Sequence, residues 1–181
     1  MKPTLFLDRD GVINKRIIDG YVCQWSEFVF EDNVLEALSI LSPFFHRIIV
    51  VTNQQGIGKG LMTEEDFCHI TEKMKQEVTI NGGRIDCVLH CSALECDNSF
   101  CRKPKVGMGL QARKIYPEIR FKNSVMVGDS LSDMLFGKWL KMNTVLIADN
   151  TKLSRKYPEI IDRKYKTLKE YAQYVKNKGG M

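Results

Sequence analysis

The hydrophobic pattern of the chain is one of short apolar runs separated by stretches with helical periodicity. The runs predict strands at residues 4–7, 48–51, 84–89, 125–127 and 144–147. Apolar runs without polar alternation are typical of strands that are covered on both faces. Strands that alternate with helices predict an α/β fold, in which a parallel sheet carries helices on both faces in a three-layer, Rossmann-like arrangement.

Apolar residues at three- and four-residue spacing predict the helices between these strands. The predicted helices cover residues 34–41, 64–80, 108–116 and the stretch after Ser130. Thr63 and Asp66 have the spacing of a capping box at the start of the second helix. Residues 14–21 and 55–60 contain turn-forming glycines and are predicted to be loops.

The length of 181 residues suits one domain with a substantial core. We expect the catalytic core to cover residues 1–150, and residues 151–181 to form a basic, helical C-terminal segment that packs on it. This segment holds nine Lys/Arg against three Asp/Glu, a net charge of +6, whereas the whole chain has +5. A basic tail can touch nucleic acid, but a solvated helix is the commoner explanation of such a charge pattern and is the one we favour.

The apolar runs are too short for a transmembrane helix. The N-terminus begins a strand rather than a signal peptide, so the expected location is the cytoplasm. Separately, we expect the protein to be a monomer. The six cysteines are therefore expected to be reduced thiols rather than disulfides.

The first strand leads directly into two aspartates one residue apart, Asp8 and Asp10, followed by Gly11. Side chains at i and i+2 of a strand point to the same side, so the two carboxylates should project together while Arg9 points elsewhere. Two carboxylates this close repel each other unless a cation lies between them. A hard, oxygen-seeking ion such as Mg²⁺ suits this position, and it also binds phosphate oxygens.

Hydroxyl, amide, basic and acidic groups that could join Asp8 and Asp10 in binding a phosphate and a metal ion occur later in the chain. Thr52 and Asn53 end one strand and Asp129 ends another, while Arg102 and Lys103 form a basic pair held by a proline. In open α/β sheets, ligands bind outside the carboxyl ends of the strands. We therefore expect these groups to meet at one edge of the sheet. Taken singly, each could equally be a solvated turn or a helix cap.

The ordered set of acid pair, hydroxyl, lysine and acid resembles the haloacid dehalogenase (HAD) superfamily of aspartate-nucleophile phosphatases over roughly residues 4–148. The resemblance implies that Asp8 is the nucleophile, that Asp10 is the general acid and base, and that Thr52 and Lys103 stabilise the transferring phosphoryl group. It also implies Mg²⁺ held by Asp8, Asp10 and Asp129. Asp133 is either a helix-capping residue or a group that orients the metal site.

The same motifs narrow the resemblance to the branch of heptose-bisphosphate and histidinol-phosphate phosphatases, which lack a cap domain. Substrate contacts are then expected from seven residues: Asp19, Gly20, Tyr21, Asn53, Gln54, Gln55 and Arg102. The loop from Lys15 to Tyr21 is slightly longer than in close relatives. Ser130 follows Asp129 where heptose enzymes often have lysine.

Members of this branch commonly carry a structural zinc loop before the Arg-Lys-Pro motif. Here the candidate ligands are His90, Cys91, Cys96 and Cys101, whereas Ala93 and Ser99 stand where a histidine and a cysteine would be expected. Zn²⁺ with these altered ligands is one interpretation. An unmetallated loop with reduced thiols is the one we favour.

The predicted function is Mg²⁺-dependent hydrolysis of a small sugar phosphate, with a heptose 1,7-bisphosphate as the first candidate. Histidinol phosphate is the alternative within the same chemistry. A DNA 3′-phosphatase is an alternative of another class, although the basic tail shows no interleaved series of aromatic residues for stacking on bases. A catalytically inactive phosphate-binding module is disfavoured by the complete set of acidic and basic residues.

Overall fold

The structure is a computed structural model that describes residues 2–148 and 152–180. Within these ranges, six strands form one fully parallel sheet in the order β3-β2-β1-β4-β5-β6. The strands are β1 (Thr4–Leu7), β2 (Arg47–Asn53), β3 (Cys87–Cys91), β4 (Val125–Gly128), β5 (Asn143–Ile147) and β6 (Arg163–Tyr165). The predicted α/β fold with a parallel sheet is confirmed.

Helices connect the strands. They are α1 (Val34–Leu41), α2 (Gln55–Gly58), α3 (Glu64–Ile80), α4 (Gly107–Ile115), α5 (Leu131–Trp139), α6 (Lys152–Lys156) and α7 (Leu168–Asn177). In the described ranges no further domain is inserted between the strands. None of the helices found there combines the length and apolar character needed to cross a membrane.

The central strand β1 separates two hydrophobic cores because successive side chains of a strand point to opposite faces. Leu5 and Leu7 contribute to a core lined by α1, α3 and α7, whereas Phe6 contributes to the core beneath α4 and α5. All three side chains are fully buried. This explains why Leu5, Phe6 and Leu7 of β1 are apolar without polar alternation, and it confirms that helices cover both faces of the sheet.

The order of the strands places a crevice at the carboxyl end of β1. From β1 the chain builds β2 and β3 on one side, and then returns to place β4 and β5 on the other. Loops that leave neighbouring strands in opposite directions leave an open crevice between them, which is where ligands bind in such sheets. Asp8 and Asp129 follow the two strands that flank this point.

The C-terminal segment contributes more than helices. Strand β6 pairs in parallel with β5, and α7 buries Leu168, Tyr171 and Val175 in the core that α1 shares. The hydrophobic pattern did not indicate β6, which has only three residues and is polar at most positions. The boundary that we predicted at residue 150 lies outside the described residues.

Two local predictions need correction. The stretch after β2 was expected to be a loop, but residues 55–58 form the short helix α2. The third strand is shifted towards the C-terminus and covers Cys87–Cys91 instead of residues 84–89. The position of the third strand is decided by its partner, since β3 pairs with β2 from Ile49 to Asn53.

Candidate active site

Asp8 lies at the carboxyl end of β1, where its main-chain N–H donates a hydrogen bond of 2.9 Å to the carbonyl oxygen of Val127. Its carboxylate is buried, and Oδ1 accepts a hydrogen bond of 2.7 Å from the N–H of Arg9. The Nζ of Lys103 lies 2.8 Å from the same oxygen. The predicted nucleophile and the predicted phosphate-binding lysine are thus in direct contact.

Lys103 also bridges to Asp133, whose Oδ1 lies 2.6 Å from Nζ. The other oxygen of Asp133 accepts a hydrogen bond of 3.1 Å from the N–H of Ser130, which completes a capping box at the start of α5. The helix-capping alternative for Asp133 is thus confirmed, and its other oxygen binds Lys103. It caps the helix, and its charge holds Lys103 beside Asp8.

The electrostatics of this buried group follow from its charges. Burial raises the pKa of Asp8 to about 6, the Asp133 charge adds to the rise, and Lys103 opposes it. Burial alone would lower the pKa of Lys103, but Asp133 and Asp8 outweigh it and the net pKa is raised. Lys103 is consequently a permanent cation, and a buried charge of this kind is stable only because two carboxylates accompany it.

Asp10 is surrounded by hydrogen-bond donors. Arg9 Nη2 lies 3.1 Å from both carboxylate oxygens, Asn14 Nδ2 donates at 2.9 Å and Gln54 Nε2 donates at 2.8 Å. Burial by itself would raise the pKa of Asp10, but the Arg9 charge and these hydrogen bonds lower it overall. Without a bound phosphate, Asp10 is thus held as a carboxylate.

Arg9 does not simply point away, as strand alternation suggested. Its side chain is buried beneath the site, and the guanidinium lies 5.9 Å from the ring centre of Phe28 and 5.8 Å from that of Phe67. It also donates to Gln54 Oε1 at 3.2 Å. A planar guanidinium can stack on rings and bind a carboxylate at the same time. Sequence reasoning missed this support of Asp10 because Phe28 and Phe67 approach from distant parts of the chain.

The residues that end β2 have different functions. Thr52 is buried, lines the cleft, and accepts a hydrogen bond of 2.8 Å from Gln54 Nε2. Asn53, a predicted substrate contact, also lines the cleft, and its side chain binds the main chain of Lys103. Its Nδ2 donates to the Lys103 carbonyl at 3.1 Å, and its Oδ1 accepts from the Lys103 N–H at 3.0 Å. We therefore assign the Asn53 side chain to holding Lys103 in place.

Gly11 explains the close approach of Asp129 to the first strand. Its φ of +89° is in the left-handed region, and a Cβ on this residue would come within 2.1 Å of Asp129 Oδ2. Only glycine avoids both problems. The turn at Gly11 thus leaves room for the third acidic group.

A group of three carboxylates could hold a metal ion. Ligand oxygens of Asp8, Asp129 and Asp133 lie within 4.8 Å of one another. Burial raises the pKa of Asp129 to about 7, with Asp8 adding to the rise and Arg16 opposing it. Both oxygens of Asp133 are already engaged, by Lys103 and by Ser130, whereas Asp8 and Asp129 offer hard carboxylate oxygens of the kind that Mg²⁺ prefers.

An open cleft of about 520 Å³ leads to Asp8. Lys59, which no sequence motif indicated, lines it. It is also lined by six of the seven residues predicted to contact substrate: Asp19, Gly20, Tyr21, Asn53, Gln54 and Arg102. Lys59 Nζ lies 5.2 Å from the ring centre of Tyr21, and this residue lowers the pKa of the Tyr21 hydroxyl. Lys59, Arg102 and Arg16 thus place positive charge along the cleft, which suits an anionic substrate.

Gln55 does not line this cleft. Its Nε2 donates to the Tyr21 hydroxyl at 3.0 Å and its Oε1 accepts from the N–H of Glu95 at 2.8 Å. The Gln55 side chain is thus engaged at both of its ends by other residues. Gln55 positions Tyr21 and ties it to the loop that precedes Arg102.

The loop between β3 and Lys103 differs from the prediction. Cys91 and Cys101 form a disulfide, with their Cα atoms 5.6 Å apart, whereas reduced thiols were expected. His90 Nε2 lies 2.9 Å from Glu64 Oε2, and Cys96 is exposed. In the part of the chain that the structure describes, these four side chains do not converge as a metal-ligand cluster. Cys91 ends strand β3 and Cys101 lies two residues before Lys103. The loop between them returns beside the end of the strand, which brings together two cysteines that are ten positions apart.

Comparison with known proteins places this site in a family. The family described as polynucleotide kinase 3 phosphatase matches residues 8–172, which include every predicted catalytic residue. The chain belongs to this family of phosphatases.

Individual relatives agree with this membership. The D-glycero-β-D-manno-heptose-1,7-bisphosphate 7-phosphatase of Pasteurella multocida is 41% identical over 154 residues, covering 81% of this chain and 82% of the relative. The corresponding α-anomer enzyme of Campylobacter jejuni is 36% identical over 175 residues, covering 96% of each chain.

A solved structure agrees as well. The D,D-heptose 1,7-bisphosphate phosphatase of B. bronchiseptica, crystallised with magnesium and phosphate, superposes with a TM-score of 0.88 at 26% identity. The match covers 97% of this chain and 99% of that one. The resemblance to HAD phosphatases of the heptose-bisphosphate branch is thereby confirmed.

Proposed function

We propose that this protein hydrolyses a phosphomonoester through an aspartyl-phosphate on Asp8, and that its substrate is a heptose 1,7-bisphosphate that loses the 7-phosphate. The observation that carries the proposal is the contact of the buried Asp8 carboxylate with Lys103, next to Asp10, in a cleft that Lys59 and Arg102 also line. The substrate assignment is supported by the named activities of relatives that span most of the chain.

In the first step, a carboxylate oxygen of Asp8 attacks phosphorus, and the bond between phosphorus and the sugar oxygen breaks. Lys103 neutralises charge on the nucleophile and on the phosphoryl oxygens. The departing alkoxide takes its proton from Asp10. Although Arg9 and its partners lower the pKa of Asp10, the arrival of a phosphate dianion beside it raises that pKa again through like-charge repulsion.

In the second step, water attacks phosphorus and the bond to the Asp8 oxygen breaks, which releases inorganic phosphate. Asp10, now a carboxylate, takes the proton of this water. The low pKa that its hydrogen-bond partners impose suits a group that returns to the ionised state between the two steps.

We propose Mg²⁺ as the cofactor, held by Asp8, Asp129 and the main-chain oxygen of Asp10. When bound, it supplies positive charge to the phosphoryl oxygens. The chemistry of the donor set supports this choice, since all three ligands are hard oxygens. Ca²⁺ is expected to inhibit, because its larger and looser coordination shell disturbs in-line geometry.

A phosphate-release assay tests the proposal. The substrates are both anomers of the heptose 1,7-bisphosphate, histidinol phosphate and a 3′-phosphorylated DNA oligonucleotide, each with Mg²⁺ and with a chelator. We expect fastest release from a heptose bisphosphate and none with the chelator. An Asp8→Asn preparation controls for contaminating phosphatases.

The other outcomes are informative. Relatives of both anomeric classes are similar to this chain, so the assay decides the anomer. Preferred release from the oligonucleotide, with a steep loss of rate as salt increases, would replace the sugar substrate with nucleic acid, the class that the family description names. Full turnover with the chelator would reject the metal.

A further inference from the structure

The guanidinium of Arg16 lies where three oxygens of the site converge. Its Nη2 donates to the main-chain oxygen of Asp10 at 3.0 Å and to Asp129 Oδ1 at 2.8 Å, and it lies 4.0 Å from Asp8 Oδ2. Arg16 belongs to the loop that follows the first strand, far from Asp129 in sequence. It is an additional cation in the site that the motifs did not indicate.

The same three groups form the donor set proposed for Mg²⁺. A magnesium ion requires its oxygen ligands at about 2.1 Å. One nitrogen that already contacts two of the groups within 3.0 Å therefore occupies the space that the ion needs. Two positive charges at one point also repel each other strongly in a partly buried site. Arg16 and the ion cannot both hold these oxygens.

We infer that Arg16 is a tethered counter-cation that neutralises the metal ligands and that a divalent ion must displace. The inference rests on the metal site of the proposed function. The side chain of Arg16 is 49% exposed, so it can leave without unpacking the core. It also lines the cleft, which lets the displaced guanidinium meet an anionic substrate there.

This assignment fixes the sign of the effect of Arg16 on metal binding. If the arginine competes with the ion, its removal tightens Mg²⁺ binding, because the ion no longer has to break the contacts to Asp10 and Asp129. If Arg16 instead only orients Asp129 as a metal ligand, its removal weakens Mg²⁺ binding. The two interpretations therefore predict opposite changes in the dissociation constant for Mg²⁺.

The experiment compares Arg16→Gln with Lys15→Gln by titrating each metal-free protein with Mg²⁺ in a calorimeter. Lys15→Gln is the matched control because it removes the same charge from the neighbouring residue, whose Nζ lies 3.2 Å from the exposed Asp32 instead. We expect Arg16→Gln to bind Mg²⁺ about tenfold more tightly than wild type, and Lys15→Gln to change affinity much less.

Thermal unfolding gives a second readout that does not depend on turnover. Arg16→Gln should lower the melting temperature of the chelated protein, because the buried carboxylates lose their counter-charge. Saturating Mg²⁺ should restore it to the wild-type value. Arg16→Lys should be intermediate in both measurements, since it keeps the charge and loses the forked geometry.

Unchanged or weaker Mg²⁺ binding by Arg16→Gln, relative to Lys15→Gln, would overturn the inference. If the wild-type protein still released phosphate in a Mg²⁺-dependent manner, the proposed function would stand and only the function of Arg16 would fail. If neither the wild-type protein nor any of the variants bound Mg²⁺, the metal site and the inference would fail together.

Discussion

At the scale of single residues, Asp8 combines burial with a contact to a permanent cation. Its carboxylate lies 2.8 Å from Lys103 Nζ, and burial shields it from water. Desolvation makes a carboxylate more reactive towards phosphorus, and the cation keeps it ionised. This pairing is the basis of the nucleophile assignment.

Replacing Asp8 by asparagine tests that assignment. A neutral amide cannot form the acyl phosphate, so turnover should fall by at least ~10³-fold, on the order of 4 kcal/mol of barrier. Phosphate release under saturating substrate is the measurement, and circular dichroism checks the fold. Asp32→Asn is the control, because Asp32 is an exposed acid outside the cleft. Substantial activity of Asp8→Asn would move the nucleophile elsewhere.

The proton-transfer function of Asp10 predicts a dependence on the leaving group. Asp10→Asn should severely reduce hydrolysis of a sugar phosphate, whose alkoxide needs a proton, by about 10²–10⁴-fold. Hydrolysis of nitrophenyl phosphate should fall much less, because nitrophenolate leaves without protonation. The ratio of the two rates is the measurement. Equal losses on both substrates would remove Asp10 from acid catalysis and leave it a positioning residue.

At the scale of elements, the segment from β3 to Lys103 decides how the basic pair reaches the site. The Cys91–Cys101 disulfide closes a short loop, and Asn53 of β2 holds the Lys103 main chain from the other side. Arg102 Nη1 also donates to the Ala93 carbonyl within that loop at 3.4 Å. Crosslink and hydrogen bonds together restrict where Arg102 and Lys103 can lie.

The disulfide predicts a specific loss of stability. Closing a loop of about ten residues is worth roughly 2–3 kcal/mol of unfolding free energy. The double variant Cys91→Ser with Cys101→Ser should lose that amount in urea denaturation, whereas Cys68→Ser, at an exposed free cysteine, should lose little. Intact mass before and after reduction counts the crosslink directly. About one zinc ion per chain in elemental analysis would instead support the metal loop.

At the scale of the whole molecule, the C-terminal segment completes the sheet. Asp162 precedes β6 and accepts hydrogen bonds from the N–H of Thr144 at 2.8 Å and from its hydroxyl at 3.0 Å. Lys138 Nζ of α5 lies 2.6 Å from the same carboxylate. The Asp162 side chain thus joins β5, α5 and the segment that enters β6. The helix α7 in turn contacts α1, where Lys169 Nζ lies 2.8 Å from Glu36 Oε2.

Asp162 predicts how this junction responds to acid. Partial burial alone would raise its pKa, but Lys138 and Thr144 lower it overall. A carboxyl whose folded-state pKa is depressed stabilises the protein above its unfolded pKa, and this stability is lost as pH falls through the folded pKa. Asp162→Asn should therefore cost about 1 kcal/mol at pH ~7, since solvent screens the half-exposed pair, and less at pH ~3, because acid progressively protonates the carboxyl.

Urea denaturation of wild type and Asp162→Asn at both pH values measures this difference. Glu159→Gln is the control, because it removes an exposed acid from the same segment. A constant difference between wild type and Asp162→Asn across the pH range would show that the charge of Asp162 contributes nothing to the junction.

The sequence by itself determined a parallel sheet with five of the six described strands, its cover of helices on both faces, and the strand ends that carry Asp8, Thr52 and Asp129. Those features depend on local periodicity and on a general rule for parallel strands, both of which can be read from residues close together in the chain. The capping boxes at Thr63 and Ser130 were readable for the same reason.

Only the tertiary structure decided which long side chains meet. Arg9 turns under the site because two distant aromatic rings receive it, and Arg16 reaches Asp129 across 113 positions of sequence. The Cys91–Cys101 disulfide likewise depends on where a loop returns beside the end of a strand. Flexible side chains and loops have many conformations of similar local energy, so their final contacts are chosen by the charges and surfaces that the completed fold places around them.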